Sequence, residues 1–135
     1  MKTTYLTSWI EDMTFVSEIN GHKVLMDAGD KDMGPKPKPL LVSALTGCTG
    51  MDVVSMLKKM KVEFDKFDMK VETEMSTEHP KVYTKMHLIY EFSGENLNEN
   101  KIHRAVQLSQ EKYCGVSAIL SKALELSYEI KFYHK

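Results

Sequence analysis

Arginine is almost missing from this chain. Of its 18 basic residues only Arg104 is an arginine, so phosphate recognition by sets of planar guanidinium forks is not expected. Acidic and basic residues nearly cancel, leaving a formal net charge of −1. No field of either sign is present to gather nucleic acid or an anionic membrane, and neither partner is expected. Cysteine is as scarce, with Cys48 and Cys114 alone, 66 positions apart. Two distant cysteines do not make a structural disulfide framework. None of the five histidines lies at His-x-x-x-His spacing and no Cys-x-x-Cys occurs, so no metal site is expected from local spacing. There is no Walker lysine after a glycine loop and no dinucleotide fingerprint. The segment from Met1 to Trp9 has no apolar core of the kind a secretory signal carries. The uncharged run 39–51 is shorter than the ~20 apolar residues that span a bilayer. A cytoplasmic protein with no bound cofactor and no membrane partner is the expectation.

What is present suits a single domain over residues 1–135. Hydrophobic residues make up 42% of the chain, enough for a core without metal or disulfide staples. The first 27 residues read as strands: 2–8, 13–19 and 22–27, the last two joined by Asn20-Gly21, whose tolerance of positive φ makes a hairpin. Residues 28–38 form a polar, Gly/Pro-rich connection. Pro39 opens a helix through Lys61 that is apolar nearly all round for three turns. Such a helix is buried on most sides. Gly47 and Gly50 flank Cys48 at a cost of about 1 kcal/mol each in helix propensity; close packing or access to the thiol has to offset that.

Residues 65–76 alternate, with Phe67, Met69, Val71 and Thr73 on one face and Lys66, Asp68, Lys70, Glu72 and Glu74 on the other. A turn at His79-Pro80 and a second alternating run, 82–92, complete a long hairpin. Asn98 opens a helix to about Tyr113, Cys114-Gly115 breaks it, 117–126 reads as another helix, and 128–133 as a closing strand. The order is three strands, a buried helix, two strands, two helices and one strand. This is α+β, without the βαβα rhythm of a doubly wound nucleotide fold.

The chemistry rests on the two thiols, and two readings stay open from the residues alone. If the fold brings Cys48 and Cys114 together, one thiolate can attack a peroxide and the other can capture the sulfenic acid. If not, they are a core residue and a spare thiol. Cys114 precedes a helix start, which favours the thiolate, whereas an apolar helix disfavours it at Cys48. Asp52 lies one turn after Cys48 on the same helix face and can accept a thiol proton, or simply begin the solvated end of the helix. The ten methionines fill a core or line an adaptable apolar pocket.

The segment Pro37-x-x-Leu40-Leu-x-x-Ala44-x-x-Gly47-Cys48 resembles the first-cysteine helix of the OsmC/Ohr family, the osmotically induced proteins and organic hydroperoxide reductases. Cys114-Gly-Val116-Ser117-x-x-Leu120 resembles that family's second-cysteine segment, and the likeness in layout covers 2–132. The resemblance implies an OsmC-like β(3)-α-β(2)-α(2)-β fold with a buried central helix, in an intertwined homodimer with active sites at the dimer interface. It also implies a peroxidatic Cys48 and a resolving Cys114, joined as a disulfide after reaction with a hydroperoxide and restored by a dithiol, dihydrolipoyl by analogy. The family's reductases carry Pro-Glu-Glu at the start of the cysteine helix, one glutamate pairing with an N-terminal arginine. Here the positions read Pro37-Lys38-Pro39, and no arginine precedes Arg104. The second motif's Cys-Pro is Cys114-Gly115. This is the pattern of a divergent branch, nearer the YhfA-like members than the true reductases. Asp52, Lys38 and Arg104 are the candidate modulators of Cys48 in place of the missing pair. The alternative is a non-catalytic or redox-sensing dimer that keeps the fold and binds a small apolar ligand.

Overall fold

The computed structural model describes residues 1–135, which form two compact units, Met1–Ser43 and Ala44–Lys135. In the first unit, β1 (Leu6–Glu11), β2 (Thr14–Ile19) and β3 (His22–Asp27) make an antiparallel sheet in sequence order. Asn20 and Gly21 sit at φ 51° and 81°, so Ile19 pairs with His22 across a two-residue turn. That geometry needs positive φ at both turn positions, and Asn-Gly supplies it. Beyond β3 the polar connection is tied down by Asp27, whose side chain is 4% exposed. Its carboxylate accepts from the Thr14 hydroxyl at 2.8 Å, the Gly29 N–H at 2.7 Å and the Met33 N–H at 3.2 Å. These three donors hold its pKa below the usual carboxylate value.

The helix α1 (Leu40–Lys59) begins one residue after Pro39, whose carbonyl accepts from the Val42 and Ser43 N–H groups. It continues past the uncharged 39–51 run to 20 residues. By length and composition alone the whole helix is long and apolar enough to cross a bilayer, a test that the core helix of a soluble protein also passes. Within the second unit, however, α1 is a core helix. Leu45, Val53 and Leu57 expose nothing, and Thr49 hydrogen-bonds to a strand. The burial is one-sided: Leu41 and Met51 stay exposed on the other faces.

The second sheet has the order β4-β5-β6, with β4 (Lys66–Met75), β5 (Tyr83–Gly94) and β6 (Glu125–His134). The hairpin β4-β5 is antiparallel, and its register puts Phe67 beside Phe92, Met69 beside Tyr90 and Val71 beside Leu88. This is the apolar face anticipated for 65–76. It is covered in part by α1: Gly50 approaches so closely that a Cβ there would lie 2.6 Å from the Met69 methyl. The opposite face carries ion pairs such as Lys70–Glu91 and Lys85–Glu125, and a His87 ring bonded to Ser127 and Glu129.

β6 runs parallel to β5, so the chain between them must cross over. That crossover comprises α2 (Glu99–Leu108), a π-helical turn (Ser109–Tyr113) and α3 (Gly115–Leu120). The Asn98 side chain accepts from the Lys101 N–H and caps α2 as expected. The helix read over 117–126 ends at Leu120, and β6 begins at Glu125 rather than 128. Parallel pairing of Glu125, Leu126 and Ser127 with Lys85, Met86 and His87 wins over local helix propensity there.

Candidate functional site

Cys48 occupies the third turn of α1 and Asp52 follows it by four residues, so both project from one face. Cys114 arrives from the crossover. The π-helical turn ends with the Cys114 N–H bonded to the Ser109 carbonyl at 2.7 Å, and Cys114 then caps α3. The Cys48 Sγ, the Cys114 Sγ and a carboxylate oxygen of Asp52 lie within 4.8 Å of one another. Both cysteines are free thiols, Cys48 half-buried and Cys114 buried. Residues 66 positions apart in sequence are thus neighbours, the condition on which the two-thiol reading depended.

The expected activation of Cys114 by its helix start is outweighed. The Ser117 N–H does donate to its sulfur at 3.4 Å and favours the thiolate. Burial away from water dominates, and the neighbouring Cys48 adds to it, so the Cys114 pKa is pushed up. The Ser117 hydroxyl is buried and forms no well-made hydrogen bond, although it lies near enough to Cys114 to favour the thiolate.

Behind Asp52 runs a chain of hydroxyl groups that sequence reasoning missed. The Ser109 hydroxyl donates to Asp52 Oδ2 at 3.0 Å, so its oxygen accepts from Thr49 at 2.7 Å. Thr49 then accepts from the Tyr90 hydroxyl at 2.7 Å, and Tyr90 accepts from the Gln110 amide at 2.6 Å. The two ends fix the direction, because the Gln110 N–H can only donate and the carboxylate can only accept. Thr49, Ser109 and Tyr90 expose nothing. Burial raises the Tyr90 pKa and keeps the phenol a donor. The π-helical turn is what aims Ser109 and Gln110 inward; such turns often mark functional sites. Nothing at single positions announces this. The one available hint was Thr49 and Asp52 both lying on the inner side of an apolar helix.

The other two candidates are carried by other segments. Arg104 lies on the exposed side of α2 and donates to Gln107 Oε1 at 3.1 Å. Lys38 is an exposed residue of the first unit, in the turn leading into α1. Beside the cluster, a cavity of about 510 Å³ is lined by Asp52, Ser55, Met56, Lys59, Met60, Leu108 and Tyr113. Most of its surface is apolar, from Met56, Met60, Leu108 and the Tyr113 ring, with Asp52, Ser55 and Lys59 supplying the polar part.

The family model described as OsmC-like protein matches residues 29–129. The chain belongs to the OsmC-like family. This OsmC-like protein is 37% identical over 125 residues to the Escherichia coli K12 protein YhfA, covering 90% of the chain and 93% of that protein. Its fold matches the crystal structure of an OsmC-like protein from Mycoplasma pneumoniae with TM-score 0.83 at 18% identity, over 99% of each chain. It also matches the organic hydroperoxide resistance protein OhrB of Bacillus subtilis with TM-score 0.67 at 15% identity, over 96% of this chain and 98% of that one. The fold expectation therefore stands: mixed α+β, two three-stranded sheets and three α-helices, in the expected element order.

Proposed function

We propose that this OsmC-like protein is a cytoplasmic thiol peroxidase that reduces organic hydroperoxides. The observation that carries the reading is the approach of the Cys48 and Cys114 sulfurs to within 4.8 Å. In the proposed cycle the Cys48 thiolate attacks the distal oxygen of the hydroperoxide. An S–O bond forms, the O–O bond breaks, and the leaving alkoxide takes a proton to become the alcohol. Cys114 then attacks the sulfenic sulfur, water leaves, and a Cys48–Cys114 disulfide remains. A dithiol reductant, dihydrolipoyl by family analogy, takes up that disulfide and returns both thiols. Asp52, oriented by Ser109, is positioned to hold the proton that Cys48 releases. No resident metal or cofactor enters this cycle.

The half-buried position of Cys48 gives a peroxide access. The apolar cavity beside Asp52 favours an organic substrate over hydrogen peroxide. Membership of a family that includes a protein named for organic hydroperoxide resistance is consistent with both. A homodimer belongs to the same reading. Trp9, Ile10, Met13 and Leu25 of the first unit remain exposed, as does Met51 of α1, and each is an apolar group that a second copy of the chain would cover.

The deciding experiment is a thiol count by intact mass. Reduced protein meets one equivalent of cumene hydroperoxide or hydrogen peroxide for seconds and is then alkylated. Formation of a Cys48–Cys114 bridge, faster with the organic peroxide, is the expected result. Two alkylated thiols after minutes would remove the peroxidase reading. The second reading, a redox-sensing dimer that binds an apolar ligand, draws on one observation: Arg104, the chain's one arginine, is bonded to Gln107.

A further inference from the structure

The cluster at Cys48 has a chemistry that the peroxidase reading does not use. Two thiol sulfurs and one carboxylate oxygen converge within 4.8 Å, although none of them stands at metal-binding spacing with another cysteine or histidine in the sequence. Zinc binds sulfur at about 2.3 Å and carboxylate oxygen at about 2.0–2.2 Å, so neighbouring donors in a tetrahedral site sit about 3.8 Å apart or less. The three atoms are within about an ångström of that arrangement before any side chain turns.

The supports are those of a built site. Cys48 and Asp52 are fixed one turn apart on a 20-residue helix. Cys114 is fixed by its N–H bond to Ser109. The Ser109 hydroxyl orients the carboxylate, and the Thr49–Tyr90–Gln110 chain in turn orients Ser109; metal ligands are commonly held by such outer hydrogen bonds. The buried Ser117 hydroxyl has no well-made hydrogen bond beside the Cys114 sulfur, while the Ser117 N–H already points at that sulfur. A metal-bound thiolate at Cys114 is an acceptor for both donors, and it gives the orphaned hydroxyl a partner. Two sulfurs with one oxygen select a soft or borderline ion. Magnesium and calcium require oxygen ligands instead.

The geometry points to a zinc-class divalent cation site formed by Cys48, Asp52 and Cys114 in the reduced protein, with the fourth position open to water. Binding releases the two thiol protons and changes no oxidation state. Three protein donors and an open position make an exchangeable site rather than a closed structural one. Where the Cys48–Cys114 disulfide reading also holds, metal and disulfide exclude each other, because both need the same two sulfurs. A bound ion then protects the thiols from peroxide, and oxidation expels it.

The test uses reduced, metal-free, full-length protein titrated with cobalt(II) under argon, with zinc as competitor. Expected are one equivalent bound, a near-ultraviolet thiolate-to-cobalt band, intense visible bands of a tetrahedral ion, and displacement by zinc. Cys48→Ser should weaken the thiolate band by about half and Asp52→Asn should lower zinc affinity at least tenfold, with circular dichroism confirming the fold of each. Protein oxidised with diamide offers a second route that needs no variant, and should lose the band altogether. Cobalt bound without a thiolate band, or an Asp52→Asn variant that binds zinc as tightly as the parent, overturns the site. Metal binding without a peroxide-driven disulfide would sink the peroxidase reading alone. The reverse result would sink only the metal site.

Discussion

Asp27 and Asp52 are both carboxylates that accept from a hydroxyl group, yet their settings have opposite consequences. Asp27 closes the first unit's sheet onto the connection that follows it, and it accepts from three donors, Thr14 on β2 and Gly29 and Met33 in the connection. Its partners are neutral and two are backbone amides, so it has nothing to exchange. Asp52 takes a single hydroxyl from Ser109 and otherwise faces two sulfurs that can lose protons, gain oxygen or join. A fully saturated buried carboxylate organises backbone. A carboxylate beside ionisable thiols, fed from behind by a directed chain of hydroxyls, is placed for chemistry. The comparison tells an aspartate that organises backbone from one proposed to serve the thiols by what each faces, since residue type alone does not.

The sharpest way to break that contrast is at the thiols. Cys48→Ser should abolish peroxide-driven disulfide formation completely while leaving the melting temperature within a degree or two, about what a near-isosteric change allows. Cys114 is then the one cysteine left and should stay alkylatable through a brief peroxide pulse; Cys114 consumed by peroxide as fast as in the parent would refute Cys48 as the attacking thiol. The next largest effect should come from exchanging the aspartates' roles. Asp27→Asn should lower the melting temperature far more than Asp52→Asn, because it disturbs three donors at once. Asp52→Asn should instead slow the alkylation of Cys48. If calorimetry and alkylation rates show the same ranking for both variants, the distinction is lost.

The pH dependence sharpens the same point. The pKa of Asp27 is lowered in the folded state, so its ionised form favours folding above the unfolded value of about 3.9. That contribution fades as pH falls through this value toward the folded one. Melting temperatures of the parent and Asp27→Asn should converge below about pH 4; curves that stay parallel would argue against the Asp27 cage. Breaking the hydroxyl chain is expected to cost less than removing Asp27. Tyr90→Phe leaves Thr49 and Gln110 short of a partner in the core, a loss of about 1–3 kcal/mol by denaturant titration. The smallest effect is at Cys114, whose pKa is raised by burial above its ordinary 9.0. In Cys48→Ser, where burial remains the dominant cause, Cys114 alkylation should still be climbing with pH at 9. A plateau near neutrality would mean the thiolate is favoured after all.

Most of the framework was legible from the chain alone. Asn20-Gly21 can only be a tight turn, the Phe67-to-Thr73 alternation gives a one-sided strand, and Asn98 caps α2, all because these depend on a few adjacent residues. Strand β6 was misread at its start because its parallel pairing with β5 is a non-local interaction that overrides helix propensity at 121–126. The burial of α1 was overstated for a related reason. Its apolar composition is symmetrical, and only packing decides which side meets the sheet.

At the site, the sequence by itself determined the reactive groups: two cysteines, an aspartate one turn from the first, and no arginine to pair with either. That much follows from composition and helical period. Tertiary structure alone decided that Cys114 reaches Cys48, that a π-helical turn swings Ser109 and Gln110 behind Asp52, and that burial outweighs the helix start at Cys114. Those outcomes depend on distances and desolvation between segments 57 or more residues apart in the chain, which no local pattern encodes.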